Sequence, residues 1–375
     1  MKTTTPISTF HPPIRTLMGP GPTEIHPRVL QVLSQPCIGY LDPEFVNMME
    51  QLKSLLRYAF QTENEMTFPL SGPGSVGMEF CFVNLVSPGD QVIVCRNGVF
   101  GGRMVENVLR CGGHPIILDF DWGKPVDPQA LEDALQANPL AKIVAFVHAE
   151  TSTGVCSDAK TLAEIAHRYN AITIVDAVTS LAGVPVLVDE WKLDAVYSAT
   201  QKCLSCTPGL SPVTFNQRTI NHVKARTGRI QSWFMDMNLL LGYWGEGSRT
   251  YHHTAPTNSL FALHEALVLL QEEGLQQSWD RHASNHQALL TGLTDMGIGF
   301  LVAEQDRLPQ MNAVYCPAGI DEAQVRRRLL NEHSLEIGAG LGPLAGKIWR
   351  IGIMGYSARP ENITKCLTSL ASVIR

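Results

Sequence analysis

The chain has 375 residues, more than a single core usually supports, so a large domain with a smaller companion is expected. Apolar residues make up 45% and charged residues 17%, a low charge density that suits a well-buried α/β enzyme with further surface hidden in an oligomer. The formal net charge of −6 is spread without long runs, and the basic cluster Arg326-Arg327-Arg328 falls in a helical pattern, so no nucleic-acid footprint is expected.

Residues 1–15, with Pro6, Pro12 and Pro13, read as an extended arm that lacks the basic-then-apolar order of a secretory leader. Residues 16–273 alternate short apolar runs with helical patterns, the signature of a mostly parallel sheet covered by helices, and are read as the large domain. Strands are expected at 67–70, 91–95, 115–118, 142–147, 171–175, 195–198 and 211–215. Several are apolar at consecutive positions, as strands buried on both faces should be. Residues 158–169 carry Leu162, Ile165 and Ala166 on one helical stripe. A long helix over 257–273 repeats Leu260, Leu263, Leu267 and Leu270, and Gly274 ends it. Beyond it come a helix, a strand at 313–316, a helix at 322–332, a strand at 348–353 and a last helix at 361–374, read as a small α+β domain over 274–375.

Several loops in this frame carry chemistry. Ser71-Gly72-Pro73-Gly74-Ser75 follows a strand and opens a helix, which exposes backbone N–H groups at a positive helix end and makes an anion site. It matches neither a Walker loop nor a dinucleotide fingerprint, and a bare tight turn is the alternative. Asn97-Gly98-Val99-Phe100-Gly101 follows the next strand; Phe100 could stack on a flat heterocycle there, or be ordinary core. His148-Ala149-Glu150-Thr151-Ser152-Thr153-Gly154 is a hydroxyl-rich loop suited to hydrogen-bonding a phenolic oxygen.

Asp176 ends the apolar run Ile172-Thr173-Ile174-Val175, and Lys202 stands beyond the next strand in Ser198-Ala199-Thr200-Gln201-Lys202-Cys203. A pyridoxal phosphate enzyme requires such a pair. The lysine binds the cofactor covalently, and the carboxylate keeps a proton on the pyridine nitrogen so that the ring can act as an electron sink. Taken alone, an Asp at a strand end is more often a turn residue or a cap. The nine cysteines are scattered, which argues for free thiols in a reducing compartment; Cys203-Leu204-Ser205-Cys206 is a lone CxxC, and no metal site is expected. Arg350 lies between Trp349 and Ile351 in an apolar stretch, where a substrate carboxylate would explain it and a structural salt bridge is the rival.

On these residues the chain resembles the class V, fold type I, pyridoxal-phosphate-dependent aminotransferases, in their alanine–glyoxylate / serine–pyruvate branch. The likeness covers nearly the whole length. It runs through Met18-Gly19-Pro20-Gly21-Pro22, Gly39-Tyr40, residues 71–79, 97–103 and 150–154, Val175-Asp176-Ala177-Val178-Thr179-Ser180, residues 198–208, Tyr251-His252-His253-Thr254 and residues 340–355. It implies a mostly parallel seven-stranded sheet in a large α/β domain with a smaller C-terminal α+β domain.

By the same resemblance, Lys202 carries the cofactor and Asp176 pairs with its ring nitrogen. Phe100, where the family often has Trp, and Val178 pack on the two ring faces, and Thr151 bonds the phenolic oxygen. Gly74, Ser75 and Gln201 hold the phosphate, with Tyr251 and Thr254 reaching in from the second subunit of a homodimer. Arg350 clamps the substrate carboxylate, helped by Gly19, with Tyr40 lining a compact pocket, and His252-His253 are structural. Pro73 and Ser75 depart from the pattern, since relatives can carry Ser and His there.

The reaction implied is a ping-pong transamination from a small amino acid, alanine or serine, to a small 2-oxo acid, glyoxylate or pyruvate. The alternatives are a ureidoglycine–glyoxylate or pyridoxamine–pyruvate aminotransferase, a lyase or cysteine desulfurase of the same fold, and a phosphate- or nucleotide-binding protein that is no transaminase. The ureidoglycine enzymes look most similar over residues 38–45 and 342–356 but place Gln and Asn where this chain has Tyr40 and Tyr251, which disfavours a ureido donor. A desulfurase needs a mobile cysteine, whereas Cys203 sits beside the lysine. Arg15 and Arg103 are the candidates for a second substrate arginine. With no long apolar stretch and no peroxisomal ending, the cytoplasm is the expected location.

Overall fold

The computed structural model describes residues 7–245, 247 and 249–374; residues 1–6 of the expected arm lie outside the described residues. Seven strands form the main sheet: β1 Met66–Ser71, β2 Gln91–Arg96, β3 His114–Asp119, β4 Ala141–Val147, β5 Ile172–Asp176, β6 Ala195–Tyr197 and β7 Leu210–Phe215. Their spatial order is β1-β7-β6-β5-β4-β2-β3, and β7 alone runs antiparallel to its neighbours. The fold is the α/β arrangement expected.

Burial explains which strands read clearly. β5 and β6 are buried at every position, so their sequences are mostly apolar, with Thr173 and Asp176 the polar positions of β5. β3, expected at 115–118, lies at the sheet edge and is half exposed, with Ile117 39% exposed. The 18-residue helix Pro43–Phe60 is not among the elements expected from sequence. Its signals are local: Asp42 accepts from the Glu44 N–H as N-cap, Pro43 opens the first turn, and Gln61 closes it in the left-handed region.

The C-termini of β1, β2, β4, β5 and β6 open on one edge of the sheet, where the glycine turn, the Asn97 turn, the His148–Gly154 loop, Asp176 and the Lys202 loop therefore gather. A second core lies beside this one, built from Leu289, Leu293, Val314, Leu329, Trp349, Ile351 and Leu370. It packs on the antiparallel sheet of β8 Met311–Tyr315, β9 Gly338–Ala339 and β10 Ile348–Gly352, in the order β8-β10-β9. Residues 16–18, read from sequence as the start of the large domain, join this second core instead. Thr16–Leu17 pairs in parallel with Leu335–Glu336, and Met18 is fully buried there. That pairing carries the following turn, Gly19 to Pro22, to the cleft between the two cores.

Candidate active site

Asp176 occupies the last position of β5, where the parallel register sets it opposite Tyr197 of β6. The Tyr197 hydroxyl donates to its Oδ2 at 2.7 Å and the Val178 N–H donates to its Oδ1 at 2.8 Å. Burial pushes the carboxyl up to about 7; the Tyr197 and Val178 bonds and the Lys202 charge oppose that rise, and Glu150 adds to it. Burial also drives the Tyr197 phenol well above its ordinary range, so it remains a protonated donor. Sequence reasoning missed Tyr197, because only the strand register pairs it with Asp176.

Lys202 follows β6 in a loop closed by the Ser205 N–H donating to the Lys202 carbonyl at 2.9 Å. Its ammonium is buried and donates to the Pro20 carbonyl. Gly21, at φ +106°, approaches so closely that a Cβ there would lie 2.9 Å from Nζ. Burial, followed by the Arg350 charge, lowers the lysine to about 8, while Cys203 and Asp176 act in the opposite sense. A substantial neutral fraction near physiological pH is what a lysine acting as nucleophile and base requires.

The glycine turn opens the helix Gly74–Leu85, whose N-terminus has no side-chain cap. Gly74 packs on the lysine loop, since a Cβ at that position would stand 2.9 Å from the Ala199 Cβ and 3.4 Å from Val178 Cγ2. Gln201, one residue before Lys202, keeps a buried Oε1 that makes no hydrogen bond. Ser75 is exposed at the first turn, and Ser71 is held by His253 Nε2 at 2.7 Å.

Phe100 is half-buried in the first turn of the helix Val99–Arg110. That turn is fixed by the fully buried Glu150, whose Oε2 accepts from the Phe100 N–H at 3.2 Å and whose Oε1 accepts from the Ser152 hydroxyl at 2.6 Å. Ser152 Oγ in turn accepts from the Val99 N–H at 3.1 Å. Burial raises the Glu150 carboxyl. The loop was legible as polar, but nothing in its spacing singled out Glu150 or Ser152. Thr151, next to them, is buried with its hydroxyl against that of Thr179.

Arg350 lies in β10 and is 7% exposed. Its Nε donates to the Ala339 carbonyl at 2.7 Å and its Nη1 to the Thr151 carbonyl at 3.2 Å. Among the described residues no carboxylate lies within salt-bridge distance of it, so the structural ion pair that rivalled a substrate role is absent. Burial lowers the guanidinium to about 10, with Glu150 acting in the opposite sense. A buried cation satisfied only by carbonyls keeps a donor face for a carboxylate ligand. Of the two other arginines considered, Arg15 donates to the Leu330 carbonyl at 2.7 Å and Arg103 stacks on the Phe100 ring at 4.9 Å.

Tyr40, Tyr251 and Thr254 form a separate group. The two tyrosine rings lie 6.1 Å apart, Tyr251 Oη meets Thr254 Oγ1 at 2.9 Å, and Tyr251 is 56% exposed. No hydrogen bond among the described residues joins them to Lys202, Gly74 or Ser75. Val178 joins Asp176 by a hydrogen bond and packs against Gly74, Arg350 bonds the Thr151 carbonyl, and Gln201 precedes Lys202 in the loop on which Gly74 packs. Gly19 lies beside them, a Cβ there standing 3.8 Å from the Gly338 nitrogen of β9.

The residues fit pyridoxal phosphate. An uncapped helix N-terminus and the orphaned Gln201 Oε1 suit the phosphate end, buried Asp176 suits a ring cation, and Lys202 suits the covalent link.

The comparisons agree with this geometry. The family model described as Aminotransferase class-V matches residues 33–353. The chain is 39% identical to the (S)-ureidoglycine–glyoxylate transaminase of Bacillus subtilis, over 96% of this chain and 91% of that protein. It is 36% identical to the alanine–glyoxylate aminotransferase of Mus musculus, over 97% of this chain and 88% of that protein. The crystal structure of the alanine–glyoxylate aminotransferase from Nostoc sp. superposes with a TM-score of 0.97 at 42% identity, covering 99% of this chain and 98% of that one.

Proposed function

The chain belongs to the class V aminotransferases, and on that premise we propose that it moves the amino group of a small amino acid, alanine or serine, to glyoxylate or pyruvate. It is a transaminase that uses pyridoxal phosphate. When bound, the cofactor supplies an electron sink for the substrate's α-carbon. Lys202 and Asp176 would hold it, with Gly74, Ser75 and Gln201 at the phosphate end. Phe100 and Val178 would lie at the ring faces and Thr151 at the phenolic oxygen.

The chain's own groups divide the work. Arg350 binds the α-carboxylate of donor and acceptor in turn, so both substrates place their α-carbon at the same point. Lys202 Nζ, brought down to about 8 by burial, takes the proton from the donor's α-carbon and, in the second half-reaction, delivers one to the acceptor's α-carbon at the same point. Asp176 holds the proton at the ring nitrogen, and its two hydrogen bonds fix the plane in which it does so.

The observation that carries the proposal is Arg350, a buried cation bonded to the Ala339 and Thr151 carbonyls with, among the described residues, no carboxylate within salt-bridge distance. Tyr40 and Tyr251, standing where ureidoglycine enzymes have amides, support a short donor without a ureido group. The likeness to the Bacillus subtilis enzyme keeps ureidoglycine as the second reading.

A panel of donors and oxo acids tests the choice. The highest kcat/KM is expected for alanine or serine with glyoxylate or pyruvate, and Arg350→Lys should raise KM for both partners, since a point charge replaces a fork. Ureidoglycine as the best donor by tenfold or more would replace the first reading with the second. Unchanged KM in the lysine variant would make Arg350 structural.

A homodimer is part of the proposal, with Tyr251 and Thr254 completing the neighbouring subunit's phosphate cup. Their exposure in the single chain supports this, as do the nearby exposed Ile38, Leu41 and Trp233. The cytoplasm is proposed as the location on the strength of nine free thiols. No helix of the described residues is long and apolar enough to cross a membrane.

A further inference from the structure

We infer that Tyr197 is a positioning residue for the reaction: its hydroxyl fixes the plane of the Asp176 carboxylate and holds that group as the anion that keeps the cofactor's ring proton. The inference rests on the reading of Asp176 given above.

Three observations carry it. The parallel register places Tyr197 directly across from Asp176, and its hydroxyl donates to Oδ2 at 2.7 Å while the Val178 N–H takes Oδ1, so each oxygen has one donor. The side chain is fully buried, and the phosphate-end helix packs closely at its base. A Cβ at Gly77 would lie 3.1 Å from the Tyr197 Cβ. Finally, the groups that face Asp176 do not replace what the phenol supplies. Glu150, from the loop after β4, opposes the anion; Cys81, from the helix, has a thiol driven up by burial and donates nothing to Asp176; Lys202 favours the anion only through its charge.

The chemistry follows from which form each bond favours. A neutral donor aimed at a carboxylate stabilises the anion and lowers its proton affinity. Remove it, and a fully buried acid holds its own proton into the alkaline range. A protonated Asp176 can no longer pair with a ring N–H, and a more basic anion draws the shared proton off the ring nitrogen.

The test is Tyr197→Phe in the full-length chain. An infrared difference titration without cofactor, with Asp176→Asn to identify the band, should show the Asp176 midpoint raised by about one to two pH units. Cofactor affinity near neutral pH, measured by equilibrium dialysis, should fall about tenfold in the same variant and should not fall further when Tyr197→Phe is added to Asp176→Asn. An unmoved midpoint, or an equal loss of affinity in the Asp176→Asn background, would overturn the inference. If the phenylalanine variant does not fold, site-specific 3-fluorotyrosine at 197, a more acidic donor, must move the midpoint down, and a midpoint that stays put or rises refutes the assignment. The titration needs no cofactor, so it stands apart from the reading of Asp176 itself, which falls separately if Asp176→Asn turns over normally.

Discussion

Asp176→Asn is expected to fold and bind pyridoxal phosphate while losing turnover on the order of a hundredfold. The amide keeps the shape of the carboxylate and can still accept from Tyr197 or Val178, so the pocket survives. What it loses is the negative charge that keeps a proton on the ring nitrogen, and that loss falls on kcat, where the α-proton leaves. Near wild-type turnover would contradict the role. The same substitution has a signature in stability. Burial raises the Asp176 carboxyl from 3.8 to about 7, so between those values the folded chain holds a proton that the unfolded chain has released. The cofactor-free protein should therefore lose stability as pH rises across that window and level off above it, and Asp176→Asn should flatten this component. Unfolding midpoints measured across pH on both proteins check the sign.

Lys202→Ala should be inactive to within about one part in 10²–10⁴, because it removes both the covalent link and the group that moves the α-proton. Its sharper use is complementation. Tyr251→Phe with Thr254→Ala should also be nearly inactive if those side chains serve the neighbouring subunit. Mixed after subunit exchange, the two inactive proteins should recover about a quarter of wild-type activity, since half of randomly paired dimers are mixed and one of the two sites in each is whole. No recovery after exchange has been verified by mass would exclude a shared site, as would an active monomer in sedimentation.

Much of the fold was legible because burial and pattern coincide. The strands ending at Asp176 and Tyr197 are covered on both faces, so they appear as mostly apolar runs without polar alternation on one face, and the helix Thr257–Glu273 ends at a glycine with φ +90°. Edge strand β3 is legible although it is covered on one side only, whereas the Pro43–Phe60 helix is not among the elements expected from sequence despite its Asp-Pro start. The placement of Thr16–Leu17 against Leu335–Glu336 depends on a pairing across most of the chain, which no local pattern encodes.

At the site, Lys202, Asp176 and the glycine turn could be read because their chemistry is tied to strand ends. Tyr197 and Pro20 could not. Each reaches the site through register or through a long-range loop, and a tyrosine in a buried strand or a proline beside glycines has no spacing that marks it. Arg350 was legible as an anomaly in an apolar strand, but only the packing shows that no carboxylate of the described chain answers it.

The central claim is that Lys202, facing Asp176 at the sheet edge, is the residue that carries pyridoxal phosphate. Borohydride reduction of the purified, cofactor-loaded protein, followed by digestion and peptide mass spectrometry, tests it most directly. A visible absorbance band that disappears on reduction, with the pyridoxyl mass found on the peptide containing Lys202, is the predicted result. An adduct on another lysine, or a protein that binds no cofactor and shows no visible band, would contradict it.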